Sequence, residues 1–256
     1  MAVPAGTAVS DDAPSRVQVA HADAWQAEGR LHERGGGGAL EVPGLRLMAS
    51  GLPQPQWNSA DVTAPDADLD VARAFYAARG AGWGVRVPPG IRWRHGRKLL
   101  TLRLMSLEPR DLVCAPAAPA VELRRAVRED LEAVLHVDAT AFEQDPASER
   151  GWLEPHFGAP GAEVALATLG GMPVGTGYTI HTDDRAGPCL YLAGVAVLPE
   201  VRRRGVASLL SSWLLARGFA AGARLAHLHA DTDDAARVYA RLGFADAGSL
   251  DVYVDV

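Results

Sequence analysis

The 256-residue sequence contains only two cysteines, Cys114 and Cys189, which lie 75 positions apart and form no CxxC pair. This excludes zinc ribbons, thioredoxin-like redox chemistry and a disulfide scaffold, and leaves two buried thiols as the expectation. No apolar run is long enough for a spanning helix: the longest uncharged stretch, Val164 to Thr182, is broken by Gly170, Gly171, Pro173, Gly175 and Gly177. Positive charge is missing before Arg16, so no secretory or transit peptide is supported and a cytoplasmic location is expected. With hydrophobic residues at 48% and charged residues at 22%, the composition is that of an ordinary globule rather than a disordered or fibrous chain.

Acidic residues outnumber basic ones, and the excess is local. Residues 1–120 carry 13 basic and 12 acidic side chains, whereas residues 121–256 carry 12 and 19. A net negative second half argues against a nucleic-acid surface, which needs positive charge to meet phosphates, and favours cationic small molecules. Arg92, Arg94, Arg97 and Lys98 cluster around Trp93, but in a half that is nearly neutral they read as a solvated loop.

Composition divides the chain. Residues 1–15 are small, polar and Pro-containing, as in a flexible tail. Residues 108–120, EPRDLVCAPAAPA, have the Pro/Ala content of a linker, which leaves 16–107 as an N-terminal α/β domain and 121–256 as a second, larger one. In the first, strands are expected around Leu45–Met48, Trp83–Val87 and Leu99–Met105, with helices over Val17–Glu33 and Asp68–Arg79. The second reads as strand (Val121–Val127), helix (Glu129–Phe142) and short helix (Ala147–His156), followed by a hairpin of Val164–Leu169 and Val174–Thr182. Strand Leu190–Val197, helix Gly205–Phe219, strand Arg224–Ala230, helix Asp233–Leu242 and two short strands, Phe244–Ala247 and Leu250–Val256, complete it.

The most informative stretch is YLAGVAVLPEVRRRGVASLLSSWLLARG, Tyr191 to Gly218. An apolar strand runs through Arg202-Arg203-Arg204-Gly205-Val206-Ala207 into an amphipathic helix. Such a junction leaves backbone N–H groups unpaired at a positive helix end, and Gly205 admits an anion closely; a diphosphate fits that chemistry.

Arg202, Gly205 and Ala207 match the Gln/Arg-x-x-Gly-x-Gly/Ala signature of the GNAT acetyltransferase superfamily, which the chain resembles over Val121–Val256. TDDAARVYARLGF, with Tyr239, Gly243 and Phe244, resembles the family's second signature. The resemblance implies an α/β (mixed α+β) GNAT acyl-CoA N-acyltransferase fold with a mixed, mainly antiparallel sheet. It implies acetyl-CoA as co-substrate and an acetyl group moved to a primary amine, on a small molecule or a peptide, by direct transfer.

The resemblance also assigns roles. Val195, Ala196 and Val197 would offer main-chain groups to the pantetheine arm; Arg202, Arg203, Arg204, Gly205, Val206 and Ala207 would cradle the diphosphate; Thr232 and Ala235 would line the cofactor cleft; Tyr239 would protonate the departing thiolate. No metal or membrane is implied, and oligomeric state is left open. VARAFYAARG (Val71–Gly80) loosely echoes AARVYARLGF (Ala235–Phe244), as a degenerate GNAT-like lobe walling the acceptor cleft would.

Departures matter too. The position before the second signature helix, commonly Asn, is Thr232, whose hydroxyl still serves as a helix cap. The fourth-strand carboxylate that many relatives use as general base is missing from Tyr191-Leu192-Ala193-Gly194, which leaves the base unassigned and keeps open a non-catalytic acetyl-CoA-binding or protein-interaction module. Glu143, Asp145, His156 and His181 lie where acceptor sites form but read first as surface residues, and Cys189 as an acyl carrier is disfavoured. His227 and His229 share one face of a strand and read as residues flanking the cofactor cleft, since no third ligand of recognisable spacing makes them a metal site.

Overall fold

A computed structural model of the chain describes residues 14–116, 118 and 120–256, so most of the expected tail and two positions of the expected linker lie outside the described residues. Eleven described strands form one mixed sheet: β1 (Gly38–Val42), β2 (Leu45–Ala49), β3 (Asn58–Val62), β4 (Gly84–Val87), β5 (Arg97–Leu107), β6 (Val121–Arg125), β7 (Ala162–Leu169), β8 (Met172–Asp184), β9 (Gly187–Val197), β10 (Leu225–Ala230) and β11 (Ala245–Val254). Six described α-helices accompany it: α1 (Arg16–Leu31), α2 (Leu69–Ala77), α3 (Leu131–Phe142), α4 (Pro146–Leu153), α5 (Val206–Ala220) and α6 (Asp233–Arg241). The class is the mixed α/β one expected from the sequence, and only β3–β4 and β9–β10 pair in parallel.

The spatial order is β1-β2-β3-β4-β11-β5-β10-β9-β8-β7-β6. Leaving out β6, it is the same from both ends: β1 to β4 answer β7 to β10, and β5 answers β11. Each half repeats the succession of antiparallel, antiparallel and parallel pairs, with α2 or α5 as the crossover of the parallel pair. The two last strands are exchanged, so that β5 pairs with β10 and β11 pairs with β4, while β5 and β11 pair with each other along the centre.

This exchange has a consequence for the VARAFYAARG echo. By topology α2 answers α5, not α6, so Tyr76 is not the counterpart of Tyr239. Tyr76 is fully buried and donates its hydroxyl to the Met48 carbonyl at 3.0 Å, a core role. The first turn of α2 holds Asp70, with Asp68 as its N-cap, where α5 has no acid in its first turn; carboxylates there repel an anion.

Local chemistry explains most boundaries. Ser15 and Gln18 cap α1 reciprocally, and Gln18 also reaches the carbonyl of Ser249 in β11. Gly205 stands at φ +80° as the N-cap of α5, and Thr232 caps α6 by accepting from Ala235 N–H at 3.1 Å. The final segment is one strand rather than two, because a bulge between Asp246 and Ser249 keeps it pairing with β5 past Gly248, which stands at φ +103°. Residues 109–111 form a short 3₁₀ turn, after which Val113 N–H bonds the Leu242 carbonyl and Ala115 N–H the Ser212 hydroxyl, so this segment is fastened to α5 and the end of α6.

Two strands lack the sequence pattern of strands. β3, NSADV, is buried throughout, yet its polar residues are satisfied: Asn58 bonds Ser50, Leu52 and Gln54, and Asp61 receives two bonds at 2.8 Å from Arg86 of β4. β1 escapes notice because it begins inside a run of glycines.

The sheet separates two environments. Leu190, Leu192 and Ala196 of β9 and Ala226, Leu228 and Ala230 of β10 pack with α5 and α6. Tyr178, Ile180 and Tyr191 face the other way, against Trp25 of α1, Val134 and Leu135 of α3 and Trp152 of α4.

Candidate functional site

The site forms where β9 and β10 part. They pair only at Cys189–Leu225, Leu190–Ala226 and Tyr191–His227; beyond that β10 follows β5, and β9 from Leu192 to Val197 has no partner on that side among the described residues. A bulge opposite Thr176–Tyr178 brings Gly194 to φ +58° directly over the Tyr178 ring. A Cβ at Gly194 would stand 2.6 Å from a ring carbon. Gly194→Ala is therefore expected to cost about 3 kcal/mol from left-handed backbone and overpacking together, and to lower Tm by roughly 8 °C in a thermal melt.

On the α5 face, the loop following β9 supplies the cradle. Backbone N–H groups from Arg203 to Ser208 donate to no described residue, and a Cβ built on Gly205 meets nothing within 4 Å. Arg203, at φ +62°, and Gly205 both take left-handed backbone, the kind of turn in which successive amides form an anion-binding concavity. A diphosphate fits that arrangement. Of the three arginines, Arg202 has its side chain committed elsewhere: it donates to the carbonyls of Val197 at 3.1 Å and Ala141 at 2.9 Å, fastening the loop to β9 and α3. Arg203 and Arg204 are exposed, and Val206 is buried under the first turn of α5.

Tyr239 is half-buried on α6 beside Phe244, ring centroids 5.8 Å apart, and its hydroxyl bonds no described residue. Burial, reinforced by the Asp231 carboxylate, pushes its phenol up to about 12, so it holds its proton throughout the neutral range.

Beyond the opposite side of the opening lies a cavity of about 550 Å³, walled by Trp25, Trp57, Trp152, Tyr178 and Tyr191 and reaching Ala193, Gly194, His229 and Asp231. The first half contributes Trp25, Trp57, Arg86 and residues of β5 to this wall. His229 sits at the opening, its Nδ1 3.2 Å from the Tyr191 hydroxyl and its Nε2 3.6 Å from Asp231. Burial lowers its pKa, so the ring is neutral at pH 7 and able to accept a proton. His227 is wholly buried, stacked on Tyr191 at 5.2 Å, and pushed down to about 3 by burial and by His229.

The other expected groups do not line the cavity. Glu143 ends α3 at φ +55°, and Asp145 caps α4 through Ser148. His156 is buried with its Nε2 3.2 Å from Glu28 of α1. His181 is half-buried on β8 and does not line the cavity. Cys189 is fully buried with its thiol pushed up by burial, which disqualifies it as an acyl carrier. Cys114, expected buried, is exposed.

Sequence reading missed a carboxyl pair. Asp138 of α3 and Glu149 of α4 are both buried against each other at the cavity wall, and burial together with the partner carboxyl pushes Asp138 up to about 8. Glu149 is raised as well, chiefly by burial. Asp138 falls on the buried stripe of α3, which marks it as inward-facing, but nothing in the sequence pairs it with Glu149.

A raised carboxyl stabilises the fold fully below its unfolded pKa near 4 and loses that contribution as pH rises through the folded value. The buried neutral His21 and His227 act oppositely, losing stability as pH falls below about 6.5. The expected result is therefore a difference: the stability of Asp138→Asn minus that of the wild type grows from pH 4 to pH 8 in urea titrations and levels off above.

No described helix is long and apolar enough to cross a membrane, and no cluster of His, Cys, Asp or Glu among the described residues is arranged to hold a metal ion. Residues 125–244 match the acetyltransferase (GNAT) family model. A GCN5-related N-acetyltransferase from Kribbella flavida is similar over 93% of this chain and 95% of its own, at 22% identity and a TM-score of 0.71. A functionally unknown conserved protein from Staphylococcus epidermidis is similar over 85% of this chain and 93% of its own, at 16% identity and a TM-score of 0.61. A GCN5-related N-acetyltransferase from Sphaerobacter thermophilus covers 94% and 93%, at 14% identity and 0.56. The fold likeness thus extends over both halves of the sheet. No curated protein matches the chain in sequence.

Proposed function

We propose that the chain, whose residues 125–244 match the GNAT acetyltransferase family model, is a transferase of acyl groups from acetyl-CoA that acetylates a primary amine by direct transfer. The observation that carries this reading is the opening between β9 and β10, with an anion cradle on one face of the sheet and an aromatic cavity on the other. Acetyl-CoA supplies an activated thioester.

The chain's own residues do the rest. Amides between Arg203 and Ala207 hold the diphosphate, the free edge of β9 from Val195 to Val197 pairs with the pantetheine arm, and Thr232 and Ala235 bound the cleft at the start of α6. Arg202 serves as the clamp that shapes the loop. The amine comes from the cavity and meets the acyl carbon near Gly194, so most of the rate arises from holding both reactants in line. His229, neutral and lining the cavity, takes at Nε2 the proton the ammonium must lose, with the Tyr191 hydroxyl against Nδ1 fixing its ring. Tyr239 gives its proton to the departing thiolate.

Calorimetry with acetyl-CoA followed by thiol release over a panel of primary amines tests the reading. Binding accompanied by amine-dependent thiol release is expected; binding with no release on any amine leaves a module that holds coenzyme without catalysis.

A further inference from the structure

The cavity has two poles of different chemistry. At one, Asp138 and Glu149 are 3% and 4% exposed, and apart from each other neither carboxyl has a side-chain or backbone donor among the described residues. Buried carboxylates ordinarily meet a cation, yet Arg86, the one arginine or lysine among the described residues that line the cavity, is engaged in a two-pronged pair with Asp61. At the other pole stands His229 with Asp231, beside the opening in the sheet.

Rigid aromatic surface joins the poles. His32, Trp152 and Trp57 form a stack with centroid spacings of 4.8 and 5.2 Å, and Trp57 is its end member on the cavity. The Trp152 indole donates to the Tyr178 hydroxyl at 3.2 Å, while Trp25 Nε1 is buried without a partner among the described residues.

One amino group cannot serve both poles. Held as an ammonium by the carboxyl pair, it lacks the lone pair needed for attack; deprotonated at His229, it leaves the pair without a cation. From this geometry we infer that the acceptor carries two basic nitrogens on a flat, apolar body, one kept charged by Asp138 and Glu149 and the other delivered to the thioester beside His229. The inference rests on the acetyltransferase reading and names its substrate class.

The reaction balances. The ammonium at His229 loses one proton to the imidazole, the lone pair so freed forms the C–N bond as the C–S bond breaks, the thiolate takes a proton from Tyr239, the remaining surplus proton of the nitrogen passes to solvent, and the imidazolium proton returns through solvent to the Tyr239 phenolate. The nitrogen at the carboxyl pair is unchanged throughout.

The test compares 1,4-bis(aminomethyl)benzene with 4-methylbenzylamine, which share a ring and one aminomethyl group and differ by the second nitrogen. With the full chain and saturating acetyl-CoA, kcat/KM for the diamine is expected to exceed that for the monoamine by about tenfold or more. In Asp138→Asn and in Glu149→Gln the ratio should fall to about one, carried by KM. In CoA-loaded wild type, calorimetry should show diamine affinity rising with pH through about 8, as the pair loses its last proton, and no such rise in Asp138→Asn; Tyr178 and Asp145 are the other titratable groups facing the pair. CoA affinity in each variant certifies its fold.

Equal kcat/KM for the two amines in the wild type, no binding of the diamine, or a ratio unmoved in both variants overturns the inference while the transferase reading stands. Failure of acetyl-CoA to bind the wild type overturns that reading, and this inference with it.

Discussion

Gly205→Asp is expected to weaken acetyl-CoA binding by at least about 100-fold while lowering Tm by only roughly 2–4 °C. The position holds φ +80° and opens onto free space, so an aspartate side chain clashes with nothing of the protein. Aspartate tolerates left-handed backbone better than most residues and is a good helix N-cap, which limits the cost to about 1 kcal/mol. The same carboxylate stands where the diphosphate would lie. At 4 Å and an effective dielectric near 20, repulsion of one charge pair is about 4 kcal/mol, and 2.7 kcal/mol is already a hundredfold. Gly205→Asn separates charge from bulk: with the same shape and no charge, it should retain most of the affinity that Asp loses. Isothermal titration with acetyl-CoA and a thermal melt on the three proteins read both quantities. Equal affinities for glycine and aspartate would remove the cradle from the coenzyme site.

Tyr239→Phe is the second large effect. The proton on this phenol is held up to about 12, and transfer to a leaving thiolate is worth about 10²–10⁴ in rate for a well-placed acid. Loss of the hydroxyl should lower kcat by about 100-fold and leave acetyl-CoA affinity within about twofold, because the Phe244 contact is made by the ring that the variant keeps. Since the group keeps its proton to about 12, wild-type kcat should show no fall attributable to Tyr239 below pH 11. Rapid-quench or thiol-release kinetics against pH measures both. An unchanged kcat would return Tyr239 to the core, as a packed residue with no part in leaving-group departure.

Most of the C-terminal half was legible because its signals are local. A β-branched strand, an Arg-rich turn and a left-handed glycine before an amphipathic helix are neighbours in the chain, and each acts through backbone geometry within a few residues. Thr232 as a cap and Gly205 as the opening of α5 follow from the same short-range chemistry. β3 was not legible, because a buried Asn58 and a buried Asp61 break the alternation that marks a strand, and their partners lie on other segments.

By itself the sequence determined the element order of residues 121–256 up to its last strand, where two were expected and one is found, and the glycine turn that opens α5. Tertiary structure alone decided the exchange of β5 and β11, the cavity wall built from both halves, and the meeting of Asp138 with Glu149 and of Tyr191 with His229. The reason is distance along the chain. Caps, turns and amphipathic faces are set by residues one to four positions apart, whereas a strand exchange or a shared proton depends on which burial partner a distant segment finds, and no local pattern encodes that choice.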